Sequence, residues 1–390
     1  MKKACLAFSA LLLFAALRGE GLGGLETRFE GERTRMLRHG NMLGFKDCLA
    51  EQLKAHPAMK AEDVLKLCVQ GACGPGHGNV IGEAAKKSFD AEFSSASPRP
   101  DEPLFELISP DFMRVNLRAW KGRDLPSEWL FNMFSASAHR FSDGGPVLKN
   151  ALDTAEDLLS GERKANFIRL RRRMNGPGHH SEAYRRIERP SYRVVSTRFL
   201  FALPVLVRAA ALPDKGAPLV IAVDGRAASG KTTLANQLAG IMNAGVVHMD
   251  DFFLPRELRT AARYREIGGN VHYERFAAEV LPRLKKAGSF TYRTFDCSIL
   301  GYGKTAEVKD SGWRIVEGAY SLHPKFGDYA DLKVFYDISP EEQKRRIVRR
   351  NGEARYRVFR DRWIPLEENY IRNCGVVRRA DLVIGGRKKD

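Results

Sequence analysis

The densest run of chemistry-bearing residues in the chain is Gly225-Arg226-Ala227-Ala228-Ser229-Gly230-Lys231-Thr232, which satisfies the pattern G-x-x-x-x-G-K-S/T. Its glycines free the backbone to turn N–H groups inward around a phosphate chain, and a helix starting there adds partial positive charge. Lys231 is then placed to bridge the β- and γ-phosphates of a nucleotide, and the Thr232 hydroxyl to ligate Mg2+. The expected nucleotide contacts are Gly225, Ala227, Ala228, Ser229, Gly230, Lys231, Thr232 and Thr233. A chance match in a glycine-containing turn is the plain alternative. Against it, an apolar run ends at Asp224 and a helical pattern runs through Leu234 to Ile241, giving the strand, loop and helix order that the motif needs.

Moving a phosphoryl group onto an acceptor asks for positioning and charge neutralisation more than covalent help. Asp250 and Asp251 close an apolar run, at the strand end where open α/β sheets bind ligands. A carboxylate there can accept the proton of an acceptor hydroxyl; a helix-capping role for one of the pair is the ordinary alternative. Glu317 ends Arg314-Ile315-Val316-Glu317 and either holds Mg2+ and its water or merely meets solvent. Between Pro340 and Arg350 a helical pattern sets Arg345 four residues before Arg349, and Arg346 four before Arg350. These two cationic stripes can close over a nucleotide as a lid, with Arg345 counted among the substrate-facing residues; a solvated basic face explains any one of them equally well.

Such residues need a rigid frame. Short apolar runs rich in branched residues (Pro218 to Val223, Val246 to Met249, Arg314 to Val316, Lys333 to Ile338, Asp381 to Ile384) alternate with helical patterns. They predict an α/β fold over residues 213–390, a parallel sheet flanked by helices. The turn-rich Pro213-Asp214-Lys215-Gly216 marks the boundary. Residues 36–212 read as a mostly helical domain of open role, with apolar residues at three- and four-residue spacing over Phe45 to Val69, Ser127 to Phe141 and Val147 to Leu159. Gly-Pro-Gly breaks this region at residues 74–76 and 176–178, followed by His77 and by His179-His180. The cluster from Gly178 to Arg186, leading into Pro190 to Val195, holds histidine, serine, tyrosine and arginine at a loop-to-helix junction where an anion can be gripped. Surface or capping histidines in a docking or dimer-forming domain are the alternative.

At 390 residues, with 44% hydrophobic and 28% charged residues, the chain predicts two folded domains rather than disorder. A net charge of +17 draws anions: nucleotides, phosphorylated metabolites, nucleic acid or acidic lipid. The six scattered cysteines point to reduced thiols. Met1-Lys2-Lys3 and the apolar Ala4 to Leu17 look like a secretory signal but are too short for a comfortable membrane span, and no A-x-A-like cleavage site follows. Because the nucleotide motif needs ATP and magnesium, residues 1–35 are expected to be an extension ahead of a start at Met36 or Met42. That implies a cytoplasmic protein without a membrane span, export being the alternative and a homo-oligomer left open.

Several features, in order, resemble the uridine kinase and phosphoribulokinase family over roughly Ala217 to Asp390. They are the phosphate loop, Asp250-Asp251-Phe252-Phe253, Gly269 to Phe276, Tyr292 to Phe295, Val316-Glu317-Gly318, the arginine-rich helix, Trp363 to Glu368 and Ala380 to Ile384. The resemblance implies that Asp250 is the general base, Tyr292 a substrate-contacting aromatic, and Arg346 and Arg349 lid arginines. Two departures stand out. His272 occupies the place of an aspartate that holds ribose hydroxyls, and Asp296-Cys297-Ser298 stands where a histidine near the base belongs.

The function expected is ATP-dependent phosphorylation of a hydroxyl on a small molecule, a nucleoside or related metabolite, with ATP and Mg2+ as cofactors. A nucleic-acid-binding ATPase or polynucleotide kinase is the competing class, favoured by the charge and by the basic run Arg169-Leu170-Arg171-Arg172-Arg173. It lacks the interleaved aromatics of a single-strand platform. A nucleotide-gated sensor is the third.

Overall fold

A computed structural model describes residues 44–75, 81–138, 145–174, 176 and 178–385; the signal-like segment, Met36, Met42 and His77 lie outside the described residues. By internal contacts the chain divides into two compact units at Val207/Arg208, inside the helix Leu203–Ala210 and ahead of the turn at Pro213.

In the first unit the helices Phe45–Ala55, Ala61–Cys73, Gly145–Leu158 and Gly161–Arg172 pack around Leu49, Val64, Leu67, Cys68, Leu152 and Phe167. The helix expected across Phe45 to Val69 is two helices. Pro57 lacks an N–H and disfavours helical geometry in the residue before it, and His56 accordingly ends the first helix at φ −124°, ψ 74°. Asp63 starts the second by accepting the Lys60 N–H at 2.9 Å. Among the helices lies an antiparallel sheet of β1 (Phe105–Leu107), β2 (Phe112–Asn116) and β3 (Tyr192–Ser196), with Met113 opposite Val195. Strands of three to five residues are too short to show alternation, so the sequence reading had only helices here.

In the second unit, β4 (Leu219–Gly225) is buried at every residue, as an unbroken apolar run should be when both faces are covered. It is the central strand of a five-stranded parallel sheet with β5 (Gly245–His248), β8 (Trp313–Glu317), β9 (Leu332–Asp337) and β10 (Leu382–Gly385), in the order β10-β9-β4-β8-β5. Each apolar run expected to be a strand is one, its ends shifted by a residue or two. The antiparallel hairpin of β6 (Phe290–Asp296) and β7 (Gly301–Val308) was not expected. Val220, Ala222, Val247, Val316 and Phe335 of the sheet share a core with Phe276, Phe326 and Tyr370. That close packing fixes the carboxyl ends of β4, β5 and β8 as a rigid rim. Among the described residues all cysteines are free, and no helix is long and apolar enough to cross a membrane.

Candidate active site

The phosphate loop joins β4 to the helix Lys231–Met242. Gly225 leaves the strand at φ 154°, where a Cβ would lie 2.3 Å from the Tyr336 carbonyl oxygen; only glycine lets the loop turn this close to β9. Ala228 is left-handed at φ 61° without being glycine, a strain held by its surroundings. The Arg346 guanidinium donates to the Ser229 carbonyl at 2.7 Å, and Gln343 donates to the Ala227 carbonyl at 3.1 Å. Arg226 pairs with Asp337 and Glu368. Beneath the loop, Asp224 is buried and accepts from the Gly225 and Leu322 N–H groups and from the Tyr370 hydroxyl at 2.6 Å. The Ala227 N–H donates to Glu367 at 2.8 Å, and burial pushes that carboxyl up to about 7, with Lys231 opposing. A carboxylate on a loop amide, beside the lysine, occupies the kind of partner position that a phosphate oxygen would take.

Sheet register brings the acidic groups to the loop. Glu317 lies opposite both Val223 of β4 and His248 of β5. One oxygen of its buried carboxylate accepts from the Thr232 hydroxyl at 3.1 Å, and the other meets His248 Nδ1 at 2.6 Å. The hydrogen bond to Glu317 raises the pKa of His248 against the opposing effect of burial. A hydroxyl and a carboxylate converging at a phosphate loop suit Mg2+, which takes one or two protein oxygens and fills its shell with phosphates and water. Among the described residues no group of three or more His, Cys, Asp or Glu would hold a metal by itself.

Just beyond β5, the turn Met249–Phe252 separates the two aspartates. Asp251 accepts from the Tyr292 hydroxyl at 2.9 Å, and that hydroxyl accepts from the His248 N–H at 3.3 Å. Asp250 instead faces a cavity of about 990 Å³ and is exposed to it. Burial raises its pKa; Lys231 and His248 oppose the rise, while Glu317 and Asp251 add to it. The same cavity is lined by Ala227, Ala228, Gly230, Lys231, Thr232 and Thr233 from the loop side, and by Arg345, Arg346 and Arg349 from the helix Pro340–Asn351.

Of the residues proposed from the sequence, the structure therefore brings the loop, Asp250 and the three arginines around one space. Gly225, Ser229 and Glu317 shape or anchor that space from behind. Tyr292 and His272 do not line it. Tyr292 is buried and holds Asp251, and His272 caps the helix Tyr273–Glu279 while meeting Glu274 at 3.2 Å. Residues that the sequence reading left without a role complete the wall: Arg259, Tyr264, Asn270, Cys297, Tyr320, Arg355 and Trp363. Asn270 is buried, and its side-chain oxygen has no hydrogen-bond partner. It and Trp363 lay inside segments already singled out, but nothing in spacing showed which side chains face the cavity. Of the basic run at residues 169–173, Arg171 is committed to Asp153 and Glu156.

No family model and no curated protein matches the chain. Among solved structures, it is similar to a possible uridine kinase from Bacillus stearothermophilus, with 23% identity over 48% of this chain and 97% of that one, and a TM-score of 0.38. A putative fructose transport system kinase from Silicibacter sp. TM1040 matches at 22% identity over 47% and 97%, with a TM-score of 0.39. D-glycerate 3-kinase from Cryptococcus neoformans matches at 18% identity over 43% and 85%, with a TM-score of 0.32. Likeness at these levels adds nothing to what the chain's own geometry carries.

Proposed function

We propose that the second unit is an ATP-dependent kinase that phosphorylates a hydroxyl group on a small molecule. The observation that carries this reading is one cavity walled at once by the phosphate loop, by Asp250 and by Arg345, Arg346 and Arg349. Nucleotide phosphates are taken by the loop amides and Lys231, with Thr232 and Glu317 as the residues that would hold Mg2+. That ion supplies charge neutralisation on the phosphate oxygens. Asp250, its basicity raised by burial, accepts the proton of the acceptor hydroxyl as the oxygen–phosphorus bond forms and the bond to the β-phosphate oxygen breaks. Arg346 and Arg349 stabilise charge on the phosphoryl group in flight. Arg346 already spans from the lid to the loop through Ser229, so lid position and loop shape are coupled.

The acceptor is read as a nucleoside or related polyhydroxy metabolite. Asn270, Arg259, Arg355 and Trp363 take the place in the wall that Tyr292 and His272 do not fill. Tyr292 then acts through Asp251 as a positioning residue. The test is a γ-phosphoryl transfer screen over nucleosides, sugars and other small alcohols, with Lys231→Ala run alongside. Transfer to at least one alcohol, lost by orders of magnitude in Lys231→Ala, is expected. ATP binding without transfer to any alcohol would replace the kinase with a nucleotide-gated switch.

A further inference from the structure

The polar residues around His180 are spent inside the first unit: Asp63 accepts from His180 Nδ1 at 2.9 Å and from the Ser181 hydroxyl at 2.6 Å, and the Tyr192 hydroxyl meets His180 Nε2 at 2.6 Å. Side chains without a use stand instead on the wall of the large cavity, where one helical run passes from Glu353 to Asn373. Arg355, Phe359, Trp363 and Glu367 all line that cavity, each four residues after the last. In an α-helix a step of four overshoots a full turn by about 40°, so three steps would carry Glu367 about 120° round from Arg355. The run is not α-helical throughout. Phe359–Trp363 form a π-helical turn, whose i→i+5 bonds wind more slowly and take back part of that drift. The wider turn keeps the four side chains on one face, and single π-turns of this kind are frequent at functional sites.

Along that face the residues change in kind. Glu367 lies at the phosphate loop, on the Ala227 N–H. Arg355 is at the other end. Burial raises the pKa of Cys297, and the charges of Asp250, Arg259 and Arg355 reach the same thiol, the first adding to the rise and the arginines opposing it. Arg355 therefore stands on the side of Asp250, where the acceptor hydroxyl must be. Phe359 and Trp363 come between the two ends. Both are half-buried, and neither packs into the core around Phe276 and Tyr370. Tyr264, on the helix Ala261–Arg265 that follows Asp250 in the chain, lines the cavity with them. The Arg362 guanidinium, which does not line it, lies 4.9 Å from the Tyr264 ring and 4.7 Å from the Trp363 ring and ties the two segments together. Among the described residues none of the three rings stacks on another ring. Flat apolar faces left open to a cavity gain most from a flat ring laid against them. At about 990 Å³ the cavity is at the top of the range for a single ligand, with room for a nucleotide and a second molecule beside it.

We propose that Phe359, Trp363 and Tyr264 form a slot for a flat ring of the acceptor, so that the molecule phosphorylated carries a nucleobase-like ring beside its hydroxyl. This rests on the kinase reading above and narrows its acceptor. The test compares nucleosides with methyl β-riboside, which has ribose hydroxyls and no base, as acceptors for the full chain. The best nucleoside is expected to exceed the riboside in kcat/KM by at least about tenfold, and Trp363→Leu to lower that value by about 5- to 150-fold while KM for ATP stays within about threefold. Phe359→Leu is expected to act in the same direction and serves if Trp363→Leu fails to fold. Equal use of the riboside, or a nucleoside rate unchanged in both variants, would overturn the slot. A rise in KM for ATP in place of the loss with the nucleoside would give the rings to adenine and overturn it too. Should the wild type transfer to no alcohol, the kinase reading falls, and binding without ATP still reads the slot. Nucleosides other than adenosine, and not the riboside, are expected to quench tryptophan emission in the wild type and not in Trp363→Leu; no such quenching would overturn the slot by itself.

Discussion

Replacing Asp250 by asparagine keeps the shape of the side chain and removes its capacity to take a proton. The carboxylate is set among Lys231, Glu317, Asp251 and His248 on the cavity wall, and its pKa is raised chiefly by burial. A positioned general base contributes about 10²- to 10⁴-fold, so the variant is expected to lose that much in kcat, roughly 3 to 5 kcal/mol of barrier. Nucleotide contacts come from the loop and from Lys231, which the change leaves intact. ATP affinity is therefore expected to move by less than about tenfold, and toward tighter binding, because a negative charge near the phosphates is gone. Single-turnover transfer with labelled ATP, run across pH, separates these effects. In the wild-type protein the rate should climb with pH as Asp250 ionises, with a midpoint above the ordinary 3.8 of an aspartate, and this limb should be missing from Asp250→Asn. A variant that transfers within tenfold of wild type, or keeps the rising limb, would remove Asp250 from the role of base.

Further outcomes follow from particular contacts. Glu317→Gln should raise the Mg2+ concentration needed for half-maximal transfer by about tenfold or more, since the charge facing Thr232 is lost; an unchanged requirement would take Glu317 out of the ion's surroundings. Gly225→Ala puts a methyl group 2.3 Å from the Tyr336 carbonyl and should cost about 1 to 3 kcal/mol in urea unfolding; a wild-type midpoint would show that the loop relaxes freely. For Asp63, burial acts to raise the pKa, but the hydrogen bonds from His180, Ser181 and the Lys60 amide outweigh it and hold the group at about 2 against an ordinary 3.8. A depressed carboxylate stabilises the fold above its unfolded pKa, and that contribution, on the order of 2 kcal/mol, is lost as pH falls from about 4 through 2. Urea titrations at successive pH values should show this loss in wild type and not in Asp63→Asn.

The α/β frame and the phosphate loop were legible because each rests on local rules. A central parallel strand must be apolar throughout, and a loop that wraps phosphate needs glycine and lysine at fixed spacing, so Leu219 to Thr232 declare themselves without reference to the rest of the chain. Asp250 was legible for a related reason, its place directly after a strand. Spacing alone left the choice between Asp250 and Asp251 to the family resemblance. It depends on Tyr292 reaching from β6 to hold one aspartate and leave the other facing the cavity. His248 and Glu317 meet because of strand register, which their sequence distance does not reveal.

By itself, then, the sequence determined the phosphate-binding turn, the run of strands that carries it and the cationic helix that follows, since these are written in spacings of a few residues. Tertiary structure alone decided which side chains face a shared space. It turned Tyr292 and His272 away from the cavity, brought Asn270, Arg259 and Arg355 to its wall, and joined Asp63 to Arg114 through Gln70, Tyr192 and His180. The reason is physical: a hydrogen bond or a cavity wall is a relation among residues far apart in the chain, fixed by how helices and strands pack, and no local pattern encodes that packing.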